Sequence, residues 1–532
     1  MANRSVTTAA HRFGLGPKPG EFDTIGSKPQ AWLLDQLDTP YRAPRQFEGF
    51  LSTADQRRSM FHRYADVTPR LREQREAALA RGDHAEADKL SAEMKKVEFG
   101  YLTWMNESMM LEFGAQTNVA ITTNEPFRER LVRFWCNHLV VPAIKQPSKR
   151  LAAAYEREAI RPHVTGKFAD MLVASAKHPG MLVFLDNILS MGSNSAYGQK
   201  SARGINENLG REILELHTMG VMGGYTQSDV IELSKGISGW SLWPLTENTQ
   251  GSWREQPPGA QYGAFYFYAD WHEPGAHVLL GKSYNQSGVA QGEAMLNDLA
   301  RRPETARFLA TKLAQHFVSD TPNEALVRRL ADVYLSHDTD LGEMTRALVE
   351  ADEPWDMAGS KLKQPQDYVL SVLRVLGKPL LNDNVQPQSI YNADTYKWRE
   401  HIWALYYDDE FGTVPVKDPA DYTSDLAKNG LEIATLYRDI AAMGQPPLRA
   451  PGPQGWYDRW SDWNGADSVL KRAEFGAAKA ELYAGEIGDP AAFLDGIYPG
   501  HAPDDLASAV KRAASGAQAL SLILSSPHFQ RR

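Results

Sequence analysis

A chain of 532 residues is long enough for two or three domains, or for one large domain with insertions, and 42% hydrophobic with 23% charged residues is globular rather than disordered composition. Its 57 basic against 66 acidic residues give a net charge of -9, without the concentrated basic surface that a nucleic-acid partner requires. The single cysteine, Cys136, excludes an internal disulfide and any multi-cysteine metal site.

The N-terminal stretch MANRSVTTAAHRFGLGPKPGEF has no apolar run of signal-peptide length, and no later segment supplies the roughly 18 uncharged apolar residues of a membrane span. The expectation is a chain with no membrane span, cytoplasmic as numbered, with export open if a leader was removed. GLGPKPG, from Gly14, has neither the Lys-Ser/Thr of a phosphate-binding loop nor a preceding strand pattern, so it reads as a turn. Residues 27–37, SKPQAWLLDQL, predict a short amphipathic helix capped by Ser27, with Pro29 in its first turn.

From Pro69 to Glu98 the chain is densely charged, with sparse apolar positions and Gly82 as an interruption, which predicts a long exposed helix or helical hairpin. FGYLTWMNESMMLEFG, from Phe99, carries that helix toward the core. EPFRERLVRFWCNHLVVP, from Glu125, places Leu131, Phe134, Trp135 and Leu139 near a 3.6-residue period and predicts a core helix, in which Cys136 packs as a small hydrophobe. Two further helices are expected over 152–160 and 167–176, followed by a polar loop over 191–202.

NENLGREILELHTMGVMGGYT, from Asn206, crowds three glutamates, an arginine and a histidine into a few helical turns before a glycine-rich break. Projected as an α-helix, Asn208, Arg211, Glu212 and Glu215 share one face about 100° wide, Leu209, Ile213 and Leu216 form a separate apolar seam, and His217 points away from the carboxylates. Two carboxylates three residues apart beside an arginine suit proton transfer, or supply two oxygens to a metal. The same i,i+4 steps also serve simply to stabilise a helix, by roughly 0.3 to 0.5 kcal/mol each. Thr226 and Asp229 have capping-box spacing for a following helix, DVIELSKGISGW.

YGAFYFYADWHEPGAHVLLGKSY, residues 262–284, combines aromatic β-prone residues with a turn-like EPG and predicts a β-hairpin. Helical patterns resume from Gly288 to Ala351, including PETARFLATKLAQHFVS. Residues 381–430 are rich in Asn, Asp, Tyr and Pro, and MGQPPLRAPGPQGWYDRW from Met443 is a Pro/Gly-rich loop expected to wrap a surface; helices close the chain. The resulting layout is an N-terminal helical region over 1–120, a helical core over 121–380 with the hairpin near 262–284, a loop-rich insertion over 381–450 and C-terminal helices over 451–532. Together these predict a mainly α fold, one large multi-helix domain with one small β-hairpin insertion.

The phrases RFWCNHL, HPGMLVFLDN, NENLGREILELHTMGVMGGYTQSDVIELSKGISGW, HEPGAHVLLGK, FLATKLAQHFV and SSPHFQRR occur in order from Ala10 to the C-terminus, and in them the chain resembles the bacterial domain of unknown function family 1800. The resemblance implies a mainly helical single large domain and names no reaction. It marks Asn137 and His138, Asp186 and Asn187, Asn208, Arg211, Glu212, Glu215 and His217, then Trp240 and His272, as site candidates. At one marked place the family's usual lysine is replaced here by His277.

Three functions are open on this reading. The first is a hydrolase of a saccharide or other polymeric substrate, in which Glu212 and Glu215 divide acid and base work, Arg211 positions them, and His138 and His217 bind substrate or shuttle protons. Asn137, Asp186, Asn187, Asn208, Trp240 and His272 would then line the substrate. The second is a metal-dependent oxidoreductase whose histidines from separate phrases meet the carboxylates at one ion; the cofactor is unknown. The third is a non-catalytic scaffold or binding protein. A small-molecule or polymeric substrate is the expected partner, with no nucleic acid.

Overall fold

Helices dominate because apolar residues recur at three- and four-residue spacing along most of the chain, a pattern that one buried face satisfies. A computed structural model describes residues 6–144, 148–201, 203–244, 257–356, 361–381 and 425–532. Thr53–Ala80 and α1 (His84–Thr122) form the expected helical hairpin, turned at Gly82 in the left-handed region, with Leu71, Ala78, Ala87 and Leu90 packed between the two arms. At its far end α1 buries Met110, Leu111 and Phe113 in the core. α2 (Pro126–His138) starts on a proline whose missing N–H costs nothing there, and it buries Leu131, Phe134 and Trp135.

The helix expected over 27–37 is present as Pro29–Asp38, but Ser27 does not cap it: Lys28 holds the cap position and makes no side-chain capping bond. The Thr226–Asp229 capping box forms in both directions at the head of Gln227–Gly236. The segment 262–284 divides between two small antiparallel sheets. β1 (Trp240–Leu242) pairs with β2 (Phe265–Phe267), and β3 (His277–Leu279) with β4 (Lys282–Tyr284) forms the tight hairpin. The fold is mainly α with these small β elements.

Of the expected loop-rich stretch 381–450, residues 382–424 lie outside the described residues, and Asp425–Ala442 is a helix. Ile433, Leu436 and Ile440 give that helix an apolar stripe, which the polar composition before it obscured.

Two hydrophobic clusters organise the described residues. One gathers residues between Ala9 and Ala351, including those of α2, α3 (Asn208–Glu212) and the long helix α4 (Pro303–Phe317). The other joins the end of α1 to α5 (Pro365–Val375) and the C-terminal helices. No helix among the described residues is long and apolar enough to cross a membrane.

Candidate functional site

The stretch that begins at Asn206 is not a uniform α-helix. α3 gives way at once to a π-helical turn, Ile213–His217, a widened turn that recurs at functional sites. With i→i+5 spacing, Leu214 comes over Leu209, so Leu209, Ile213 and Leu214 are buried and Leu216, expected in that seam, is only half-buried. The Arg211 guanidinium lies 2.8 Å from Glu207 and 3.7 Å from Glu215, and it donates to Gln227, whose amide in turn donates to Glu207. Burial, and then the neighbouring Glu215, raise the Glu212 carboxyl above the usual carboxylate range against the pull of Arg211. Burial and a hydrogen bond to Glu215 push the Tyr225 hydroxyl up to about 12.

His217 leaves this face and is buried. His138 donates from Nε2 to the His217 carbonyl at 3.0 Å, so two sequence candidates from separate phrases do meet. Burial, then the charge of Lys312, lowers His217 to about 3 and holds His138 well below the ordinary histidine range; both rings are neutral at pH 7.

Several other candidates tie segments together. Asn187 donates to the Trp240 carbonyl at 2.9 Å, while the Trp240 ring is fully buried edge-on to Phe265. Asp186 sits in the left-handed region and its carbonyl accepts from Asn206, whose own side-chain oxygen receives the Asn208 backbone N–H. His272 lies within 3.0 Å of Ser238 O and Gln291 Oε1. His277 sits 3.4 Å from Glu232. No group of three or more His, Cys, Asp or Glu among the described residues is arranged to hold a metal ion.

A polar cavity, of 480 Å³, opens where the two hydrophobic clusters meet. Its walls come from α2, α4, the start of α5, and the loop over 445–459, with Leu216 and Val221 contributed by the Asn206 stretch. Asn137 is the sequence candidate on its wall. That side chain fixes the loop by donating to the Trp456 carbonyl at 2.8 Å and accepting from the Trp456 N–H at 2.7 Å. Gly455 makes this approach possible: it has a φ of 72°, and a Cβ there would fall 2.2 Å from the Asn137 carbonyl oxygen.

Beneath this loop lies a buried chain of charges. Asp367 accepts from Arg130 at 3.1 Å and from Arg532 at 2.7 Å, and lies 3.4 Å from Arg133. Arg532 continues to Asp458 at 3.0 Å, and Asp458 meets His316 Nδ1 at 2.6 Å. Since the carboxylate only accepts, Nδ1 carries the proton and Nε2 is left as the acceptor. Nε2 is buried without a hydrogen-bond partner among the described residues.

Burial alone would raise both carboxyls. Arg130 and Arg532 overcome it at Asp367, and Arg532 with His316 holds Asp458 near the bottom of the range, at about 2. Burial, then Arg532, lowers His316 to about 4, with Asp458 opposing. Lys312, one helical turn before His316, is lowered by burial to about 8.

Cys136 also borders the cavity, its thiol pushed well up by burial. A second hollow, of 530 Å³, lies among the C-terminal helices, walled largely by Leu, Ala and Ser. Its His528–Asp505 pair is solvent-exposed, unlike the buried polar groups that mark a reactive site.

Sequence reasoning missed His316, Asp458, Lys312 and Arg130. The available signal was the Lys-x-x-x-His step of FLATKLAQHFV, which puts both groups on one helix face; the distant Asp458 left no local trace. A family model described as protein of unknown function (DUF1800) matches residues 8–531. No curated protein and no solved structure matches the chain.

Proposed function

The chain belongs to the DUF1800 family, whose description names no reaction, and from its own site we propose that it is a hydrolase of a saccharide or other polymeric substrate acting in the 480 Å³ cavity. The observation that carries this reading is the His316–Asp458 pair at 2.6 Å on the wall of that cavity. Asp458 fixes the tautomer and ring orientation, and the neutral ring keeps an unshared pair at Nε2 for a proton. His316 takes the proton from an attacking water, is stabilised as imidazolium by Asp458, and returns the proton to the leaving oxygen. Its low pKa makes the imidazolium a ready donor in that second step.

The wall chemistry favours a polyhydroxylated substrate. The side-chain amides of Gln315, Gln366 and Gln454 can both donate and accept, and Trp456 and Tyr457 add aromatic residues to the lining. A panel of oligosaccharides assayed for new reducing ends tests the reading. Turnover that falls about 100-fold or more in His316→Asn supports it; full turnover in that variant discards it.

The carboxylate pair Glu212 and Glu215 supports a second reading of the same reaction class, on the observation that Glu212 is raised by burial and by Glu215 while Tyr225 bonds Glu215. In that case Glu212→Gln and Glu215→Gln would abolish turnover and His316→Asn would not.

A further inference from the structure

Asp458 reaches His316 from a stretch, 455–458, whose backbone belongs to no helix, strand or turn, so its polar groups have to find partners outside the loop. Three side chains supply them at alternate residues. Asn137, near the end of α2, takes both polar groups of Trp456, donating to the carbonyl at 2.8 Å and accepting from the N–H at 2.7 Å. Lys361, 2% exposed, donates to the Asp458 carbonyl and pairs with Asp320, which accepts from the Trp460 N–H at 2.7 Å. Lys361 also lies 3.8 Å from the Asp458 carboxylate, whereas among the described residues the Asn137 amide bonds the loop through the Trp456 backbone. The loop is shaped to that amide. A Cβ at Gly455, where φ is 72°, would fall 2.2 Å from the Asn137 carbonyl oxygen and 2.7 Å from its Oδ1.

The placement of Asp458 decides a tautomer. The ring proton follows the hydrogen bond made at Nδ1, and Asp458 at 2.6 Å requires that nitrogen to donate. Arg532 Nη2 lies 3.5 Å from the same nitrogen and only donates, so if Asp458 draws back, Nδ1 faces a donor and the proton moves to Nε2. We propose, on the reading of His316 as the group that takes a proton from water, that Asn137 is its positioning residue: by holding the Trp456 backbone it keeps Asp458 at Nδ1 and leaves Nε2 unprotonated. The charged groups acting on the ring are Arg532, Asp458 and Arg130, and with burial they keep it neutral at pH 7, so the two states differ in tautomer and not in charge.

Long-range proton–nitrogen NMR spectra of the full chain at pH 7 read the tautomer directly, with histidine nitrogens labelled and His316 assigned as the signal missing in His316→Asn. The expected result is Nδ1–H in the unsubstituted chain and a shift to mainly Nε2–H in Asn137→Ala. Gly455→Ala, which pushes the loop off the same amide from the other side, should do likewise and decides the matter if Asn137→Ala does not fold by circular dichroism. Tyr334→Phe removes a buried hydrogen bond to the Ala300 carbonyl, between other segments, and should leave the His316 proton in place. A proton that stays on Nδ1 in the folded variant overturns the inference, as does Nε2–H in the unsubstituted chain or an equal shift in Tyr334→Phe. Because the ring is read without substrate, a shift to Nε2–H with turnover of an identified oligosaccharide unchanged sinks the proton-transfer role of His316 and leaves this inference standing. A tautomer that holds sinks this inference whatever the turnover.

Discussion

The Asn206 helix and the charge chain beneath the cavity use the same side-chain types, arginine, carboxylate and histidine, in opposite settings. On the helix, Arg211 and Glu207 are each 36% exposed, and water screens their pairing. Under the cavity, Arg130 and Arg532 are 1% exposed and Asp367 is 6% exposed, so each charge depends on its protein partners. Burial and not residue type therefore decides how far a group is perturbed: the exposed pair is screened, while the buried set fixes Asp458 against His316 and shifts the titration of that ring.

Substitutions separate the two regions. The largest effect is expected for His316→Asn, with a loss of about 100- to 10,000-fold in turnover of an identified substrate and little change in unfolding midpoint. An equal loss in Glu215→Gln would move the chemistry to the Asn206 helix. Asp367→Ala leaves Arg130 and Arg532 buried without their shared carboxylate and should cost about 3 to 5 kcal/mol in urea unfolding. Destabilisation below about 1 kcal/mol would show that the network is not held as tightly as its distances imply.

Acid should weaken the packing around the buried histidines, in both regions and beyond them. Burial lowers His11 and His217 to about 3, and burial with Arg532 lowers His316 to about 4, all below the unfolded value of 6.5. The unfolded chain therefore binds more protons across that window, so this stability is complete above pH 6.5 and is lost as the pH falls toward the folded values. Between pH 7 and 5 the loss should be on the order of 2 kcal/mol for each such ring. Urea titrations at the two pH values measure it, and an unchanged midpoint would contradict the neutral buried rings. The smallest effect belongs to Arg211→Ala, whose half-exposed pairs predict about 0.5 to 1 kcal/mol. A much larger loss would make the helix face a structural keystone and narrow the contrast between the regions.

Much of the fold was legible from spacing. The hairpin at Gly82, the core helix after Glu125 and the Thr226–Asp229 capping box all follow from local periodicity and capping chemistry, although that helix stops at His138 and not at Pro142, where the sequence pattern would end it. The π turn at Ile213–His217 was not, because one widened turn alters which leucines face inward without changing composition. The helix Asp425–Ala442 was hidden by the polar residues ahead of it.

By itself the sequence determined a mainly helical chain, its family, and the division of the Asn206 helix into a polar face and an apolar face, since these rest on contacts within a few residues. Tertiary structure alone decided that Asn137 fixes a loop more than 300 positions away, that His316 meets Asp458, and that Lys312 shares the surroundings of that carboxylate. Those outcomes depend on which distant groups share a dry space, and desolvation acts on the assembled surroundings of a side chain rather than on its neighbours in sequence.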